Sequence, residues 1–122
     1  MEKAYRKFVV WQRAHELAVA VFQETKSFNG SDLRWFASQL RRAAYSVPAN
    51  FVEGYARGSR KEFLRYLNIA AASLSELEYG LEFGKSVGCF NNEQFESLGR
   101  IRSEVGYLLH RFVLSVKQNI ST

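Results

Sequence analysis

Apolar residues recur along this chain at spacings of three and four, the pattern of helices that bury one face. Four such stretches, separated by short polar breaks, are predicted over residues 8–28, 31–55, 59–88 and from 92 onward. Because short links force successive helices to alternate in direction, the pattern predicts an all-α, antiparallel up-down-up-down four-helix bundle. At 122 residues, the chain fits one domain spanning residues 1–122.

The buried face of each helix can be assigned from the same spacing. The first helix is predicted to bury Trp11, Ala14, Ala18, Val21 and Phe22. The third helix has the most regular stripe, with heptad spacing: Phe63, Leu67, Ala70, Leu74, Leu77 and Leu81. That spacing suits near-antiparallel packing at a small crossing angle.

Helix boundaries are indicated by capping residues. Asn29-Gly30 is expected to end the first helix, because both residues accept the left-handed conformation, and Ser31 or Asp32 to cap the second. Ser59 and Glu62 have the spacing of a capping box. Asn91 and Asn92 are candidate caps for the fourth helix.

Pro48 falls inside the second predicted helix. It removes one backbone hydrogen bond, to the Ala44 carbonyl, and predicts a kink there. Because the apolar stripe continues past the proline, the interpretation is one bent helix rather than two short ones.

Composition gives no indication of secretion or membrane insertion. Cys89 is the only cysteine, so no intramolecular disulfide can form. No signal peptide is recognisable, and no apolar run approaches the length of about 20 residues that a membrane span needs. The expected location is cytoplasmic, with no membrane partner.

No pattern of catalytic or metal-binding residues is evident. Neither His15 nor His110 has a glutamate three residues earlier, as di-iron bundles require, and one cysteine with two distant histidines does not predict a zinc site. No phosphate-binding glycine loop matches the required spacing. The sequence therefore predicts a protein that is not an enzyme, without cofactor, metal or catalytic residues.

The formal net charge of +5 is unevenly distributed. Residues 1–60 hold ten Lys/Arg against five Asp/Glu, whereas residues 61–122 hold seven of each. A basic surface can attract RNA or DNA, although charge of this size also serves solubility alone.

The segment from Gln39 to Arg60 is rich in polar and charged residues, and these residues have two interpretations. One is a buried structural network in which Glu53 pairs with an arginine and Asn50 satisfies the carbonyl freed by Pro48. The residues assigned to that network are Gln39, Ser46, Asn50, Glu53 and Glu76. The other is a surface that grips phosphates or an acidic partner. Its residues are Arg41, Arg42, Arg57 and Arg60.

Three groups of residues give the chain a family resemblance. An entry motif is formed by Trp11, Gln12 and Ala14. The central motif is Gln39, Arg41, Arg42, Ala43, Ser46, Val47, Pro48, Asn50, Glu53 and Gly54, followed by Arg57. The later motif is Phe63, Leu67, Ala70, Ser73, Leu74, Glu76, Leu77 and Glu78. With these motifs the chain resembles the bacterial four-helix-bundle proteins encoded in intervening sequences of large-subunit ribosomal RNA genes, and their chromosomal relatives.

The resemblance implies a ring-like homo-oligomer, a pentamer, with no established enzymatic activity and an association with RNA. Apolar residues outside the predicted stripes independently favour self-association. They include Trp35, Tyr45, Tyr66, Ile69, Tyr79, Phe83 and Tyr107.

The leading hypothesis is a non-enzymatic homo-oligomer that binds structured RNA or an RNA-bearing complex. The main alternative is a protein-interaction scaffold or accessory subunit that does not contact nucleic acid. A weaker alternative is a small enzyme that uses Glu53 and Arg57 in a cleft between subunits.

Overall fold

The computed structural model describes residues 4–120, with side chains through residue 118. A short 3₁₀ turn, Ala4–Lys7, precedes four α-helices. These are α1 (Val9–Glu24), α2 (Ser31–Ala56), α3 (Arg60–Ser86) and α4 (Asn92–Ile120). No strand occurs between residues 4 and 120.

Neighbouring helices run in opposite directions, as their paired residues show. Along α2 and α3, Gly54 lies against Phe63 while Leu40 lies against Gly80, so position rises on one helix as it falls on the other. α1 and α4 are also antiparallel. Glu24, at the end of α1, accepts a hydrogen bond from Gln94 near the start of α4, whereas the earlier Arg13 pairs with the later Glu104. Each helix packs on two neighbours, with α2–α3 the most extensive interface. The predicted fold class is confirmed.

The interior is built almost entirely from aliphatic and aromatic side chains. Its largest fully buried members include Leu17, Leu40, Leu67, Leu77 and Leu98. Aromatic rings close the end of the bundle at which α2 leads into α3: Phe8, Phe51, Tyr55, Phe63 and Phe112. Burial of these side chains, at roughly 1.5–3 kcal/mol each, is the main stabilising term.

The predicted face of α1 is wrong by a partial rotation. The helix buries Val10, Ala14, Leu17 and Val21, so only Ala14 and Val21 of the predicted stripe are fully buried. Trp11 is half-buried and Phe22 is exposed. Apolar residues cover more than half of the circumference of α1, so spacing alone did not select the buried side.

Two of the predicted caps form side-chain bonds. Ser59 Oγ accepts a hydrogen bond from the Glu62 amide, although the Glu62 carboxylate accepts from Arg65 instead of completing the box. Asn91 and Gln94 form a reciprocal box, because each side chain accepts from the other's backbone amide. Both arrangements satisfy amides that a helix start leaves without partners.

The first break differs from the prediction. α1 ends at Glu24, earlier than expected, and Gly30 is the residue that precedes α2. Gly30 has φ 89°, which glycine adopts without steric cost. Ser31 is the first residue of α2 and not its cap.

The second helix passes through Pro48 without interruption. Pro48 is buried, and since it has no N–H, the Ala44 carbonyl lacks the donor that a helix normally supplies. The prediction of one continuous helix is confirmed.

A methyl group at Gly54 should destabilise the bundle. An added Cβ would lie 2.7 Å from Tyr66 Cβ and 3.3 Å from the Phe63 carbonyl oxygen, so α2 and α3 would have to separate. We expect Gly54→Ala to lower the free energy of unfolding by about 1–3 kcal/mol. The matched control is Gly99→Ala within α4, where nothing lies within 4 Å and a gain of about 0.5–1 kcal/mol is expected. Urea denaturation of both variants checks this, and equal stability of the two would contradict it.

Candidate functional site

Arg41 holds the end of α1 against α2. Its Nε donates to Thr25 Oγ1 at 2.8 Å, and its guanidinium carbon lies 4.2 Å from the centre of the Phe22 ring. Thr25 is 1% exposed and itself donates to the Val21 carbonyl at 2.8 Å. Arg41 is therefore occupied in joining two helices, with only part of its guanidinium left for a ligand.

Arg42 lies on the outer surface beside α3. It donates to Gln39 Oε1 at 2.8 Å and approaches Glu76 at 3.5 Å. All three side chains reach solvent, and exposed pairs of this kind contribute little to stability. This group is a polar surface cluster between α2 and α3, available to a partner.

Ser46, Asn50 and Ser73 form a partly buried network at the centre of the α2–α3 interface. The two serine hydroxyls are 2.8 Å apart, and the Asn50 amide donates to Ser46 Oγ at 2.8 Å and to the Ser46 carbonyl at 2.7 Å. Asn50 therefore satisfies the carbonyl one turn before it and not that of Ala44, which lies six residues back. Ser73 was recognised from the sequence only as a motif residue.

Glu53 lies outside this network. Its carboxylate accepts from Arg57 Nη2 at 2.8 Å and from Arg57 Nε at 3.1 Å, and its side chain is 52% exposed. Arg57 Nη2 also donates to the Tyr66 hydroxyl at 2.7 Å. The pair orients the Arg57 guanidinium over the Tyr66 ring, at 5.1 Å from its centre.

The four arginines do not form one site. Arg41 and Arg57 are sixteen residues apart along α2, which corresponds to about 24 Å at the helical rise of about 1.5 Å per residue. Arg41 and Arg42 lie at mid-bundle, whereas Arg57 and Arg60 lie where α2 leads into α3.

The positive charge is concentrated at that end of the bundle. We define the basic end as the part of the bundle from the level of Glu53 outward, including Glu53. At this end α1 and α3 begin and α2 and α4 end. Its basic residues are Arg6, Lys7, Arg57, Arg60, Lys61, Arg65, Arg111 and Lys117. Among residues 4–120, the only acidic residues at the basic end are Glu53 and Glu62. The rest of the described chain carries eight Lys/Arg and nine Asp/Glu. The excess positive charge is therefore located at one end of the bundle.

Most residues of the basic end escaped the sequence analysis, because they come from all four helices. Only the antiparallel topology brings Arg6, Lys61 and Arg111 to one end. The Glu62 carboxylate accepts a hydrogen bond from Arg65 and raises the pKa of that guanidinium.

No group of three His, Cys, Asp or Glu in the described part of the chain has the arrangement of a metal site. On α3, Glu76 lies near Arg42 and Glu78 near Arg102. Over residues 4–120, no helix has the length and apolar character of a membrane span.

Comparison with known proteins finds one matching family by sequence and a similar solved structure. A sequence model described as 23S rRNA-intervening sequence protein matches residues 6–111. A crystal structure of a protein of unknown function from the S23 ribosomal protein family, from Bacteroides thetaiotaomicron VPI-5482, is similar with a TM-score of 0.75 and 28% identity. The similarity covers 86% of this chain and 98% of the other. No curated protein matches the chain.

The placement of Asn50 and Glu53 predicts that their replacement by alanine affects stability to different extents. Asn50→Ala should lower the free energy of unfolding by about 1–2 kcal/mol, because the part-buried hydroxyl and carbonyl of Ser46 lose the Asn50 amide as a donor. Glu53→Ala should change it by less than about 0.5 kcal/mol, because the lost ion pair is exposed. Urea denaturation at equal protein concentration measures both. A loss for Glu53→Ala as large as that for Asn50→Ala would place Glu53 in the structural network.

Proposed function

Because the chain belongs to the 23S rRNA-intervening sequence protein family, we propose that it is a non-enzymatic bundle that binds structured RNA through its basic end. We propose further that it acts as a ring-like homo-oligomer, a pentamer. The similar crystal structure is of a protein of unknown function from a family named for a ribosomal protein, and that name agrees with a partner containing ribosomal RNA.

The observation that carries the proposal is the charge of the basic end. A net charge of +6 from residues 4–120 is gathered on one end of a narrow bundle, while the remainder is close to neutral. Neutralising phosphates with Lys and Arg releases counterions from RNA, which supplies most of the affinity of such contacts. A uniformly distributed charge of the same size would give a much weaker local field.

Individual side chains at the basic end suit phosphate binding. Arg57 is held by Glu53 and Tyr66, which fixes the direction of its planar guanidinium. Arg65 lies 4.5 Å from the centre of the same Tyr66 ring. Lys61 and Lys117 are exposed charges on α3 and α4. The oriented guanidiniums can bind phosphates in a defined geometry, whereas the flexible lysines adapt to the backbone of the RNA.

Self-assembly would strengthen this binding. In a ring with parallel bundle axes, every copy presents its basic end on the same side, so one RNA contacts several ends at once. Linked contacts raise overall affinity well above that of one subunit. Exposed aromatic residues on the sides of the bundle, including Trp35, Tyr45 and Tyr79, support such assembly.

The same aromatic residues support one alternative. Trp35 and Tyr79 are 61% and 66% exposed, and such rings are favoured at protein interfaces. A scaffold for a protein partner, without direct contact to nucleic acid, would use these sides and leave the basic end free.

Reversing two charges at the basic end should weaken RNA binding. We expect the double variant Arg60→Glu, Lys61→Glu to bind a structured ribosomal RNA fragment at least about tenfold more weakly near physiological salt, with a shallower dependence of affinity on salt. Fluorescence anisotropy at several salt concentrations measures both quantities.

The control is Lys26→Glu, Lys85→Glu, which makes the same charge change towards the opposite end. It should retain affinity within about threefold, since weak long-range repulsion is screened over about 8–10 Å. Equal losses in the two double variants would contradict a localised site. No binding by the unaltered protein, even at low salt, would overturn the RNA proposal and favour the scaffold.

A further inference from the structure

The last part of α4 presents an exposed face with cations and no carboxylates. Exposed side chains recur there at spacings of three and four, which places them on one side of the helix: Tyr107, His110, Arg111, Leu114 and Lys117. No acidic residue follows Glu104 in the chain, and Glu104 itself pairs with Arg13 of α1 at 3.4 Å. Arg111 and Lys117 belong to the basic end, so this face continues its positive surface along the side of α4.

Tyr107 holds an open aromatic ring beside these cations. Its hydroxyl accepts a hydrogen bond from Arg111 Nη1 at 3.1 Å, and the Arg111 guanidinium carbon lies 5.8 Å from the ring centre. Tyr107 is 60% exposed, and within residues 4–118 it does not pack against the hydrophobic core. The ring is therefore oriented by a hydrogen bond without being covered by other side chains.

Unpaired nucleotides require this combination of groups. Bases stack on aromatic side chains while nearby Lys and Arg neutralise the phosphates of the same strand. Within a duplex, neighbouring base pairs cover the faces of each base, so the base that stacks on a side chain is unpaired or terminal. Along α4, Tyr107 is four residues before Arg111 and ten before Lys117, about 6 Å and 15 Å. A strand with one base on Tyr107 therefore passes both cations as it continues to the basic end.

The other exposed aromatic rings of the described chain have different surroundings. Three of them share surface depressions with Asp32 or Glu76, whose carboxylates repel phosphates: Trp35, Tyr79 and Phe83. Phe22 lies near the end of α1, away from the basic end. Tyr45 is twelve residues before Arg57, a separation of about 18 Å along α2. None of these rings stands within one helical turn of a cation of the basic end.

We propose that Tyr107 stacks on an unpaired base of the RNA whose phosphates the basic end binds. The ligand class is therefore RNA with unpaired nucleotides next to a helix, rather than continuous duplex. Arg111 has two functions in this arrangement, because it orients the Tyr107 ring and lies beside the phosphates of the stacked nucleotide. This inference rests on the proposed RNA binding and names the kind of RNA that is bound.

Three RNAs that share one hairpin separate base stacking from charge. The first is the blunt hairpin, and the second carries a short unpaired extension. The third carries the same extension made of abasic nucleotides, which keep the phosphates and lack the bases. Fluorescence anisotropy near physiological salt compares their affinities for the unaltered protein, for Tyr107→Ala and for the matched control Tyr107→Phe. Circular dichroism checks that each variant is folded.

We expect the unaltered protein to bind the intact extension at least about fivefold more tightly than the abasic one, the lower limit for stacking of one base on an aromatic ring. Tyr107→Ala should bind both extended hairpins with equal affinity. Tyr107→Phe keeps the ring and should keep the preference. Because Tyr107→Ala removes no charge, the dependence of its affinity on salt should remain that of the unaltered protein.

The possible failures are distinguishable. If the unaltered protein binds all three RNAs equally, it binds the duplex alone, and the inference is wrong while the proposed RNA binding stands. If Tyr107→Ala keeps the preference for the intact extension, or weakens binding of all three RNAs to the same extent, Tyr107 is not the stacking residue and the inference is again wrong. If the unaltered protein binds none of the RNAs even at low salt, the proposed function fails, and the inference fails with it.

Discussion

The close approach of α2 to α3 is the constraint on which the rest of the structure depends. At three levels a glycine leaves room for a side chain of the opposite helix: Gly54 faces Phe63, Gly80 faces Leu40 and Gly84 faces Phe36. Between these levels, the Ser46–Ser73 hydrogen bond fixes the register from within the interface. Because interiors are close-packed, this register sets the height of every residue on both helices. It brings Tyr79 level with Arg41 and sends Arg57 and Lys61 to the same end.

That register converts a sequence of mixed charges into a bundle with one charged end. No segment of the chain is a run of basic residues, and the second half is neutral in total. Antiparallel packing nevertheless gathers basic residues from all four helices and leaves carboxylates such as Glu82 along the sides. The ends and the sides thus differ in chemistry, and the proposal assigns phosphate binding to one end and contacts between proteins to the circumference. One molecule could therefore assemble and bind RNA without using the same surface twice.

The fold could be predicted from sequence because apolar residues recur at helical spacing in four stretches separated by short polar breaks, most clearly in α3 from Leu67 to Leu81. The α1 face could not, since apolar side chains surround much of that helix, and the choice was made by packing against α2 and α4. The polar residues of α2 were grouped together from the sequence, but burial divides them: Asn50 is part-buried and bonds Ser46, whereas Glu53, three residues later, reaches solvent. The basic end depends on residues distant in sequence, such as Arg6 and Lys117, and becomes visible only with the topology.

The central claim is that RNA and neighbouring copies use different surfaces, and hydroxyl-radical footprinting read by mass spectrometry tests it most directly. Oxidation of each side chain would be compared in dilute protein, in concentrated protein and in concentrated protein with a structured ribosomal RNA fragment. The account predicts that concentration alone protects Tyr45 and Tyr79, and that RNA then adds protection at the basic end, reported by Tyr66. Protection of Tyr45 and Tyr79 only when RNA is added, with Tyr66 unchanged, would contradict it and place the RNA on the sides of the bundle.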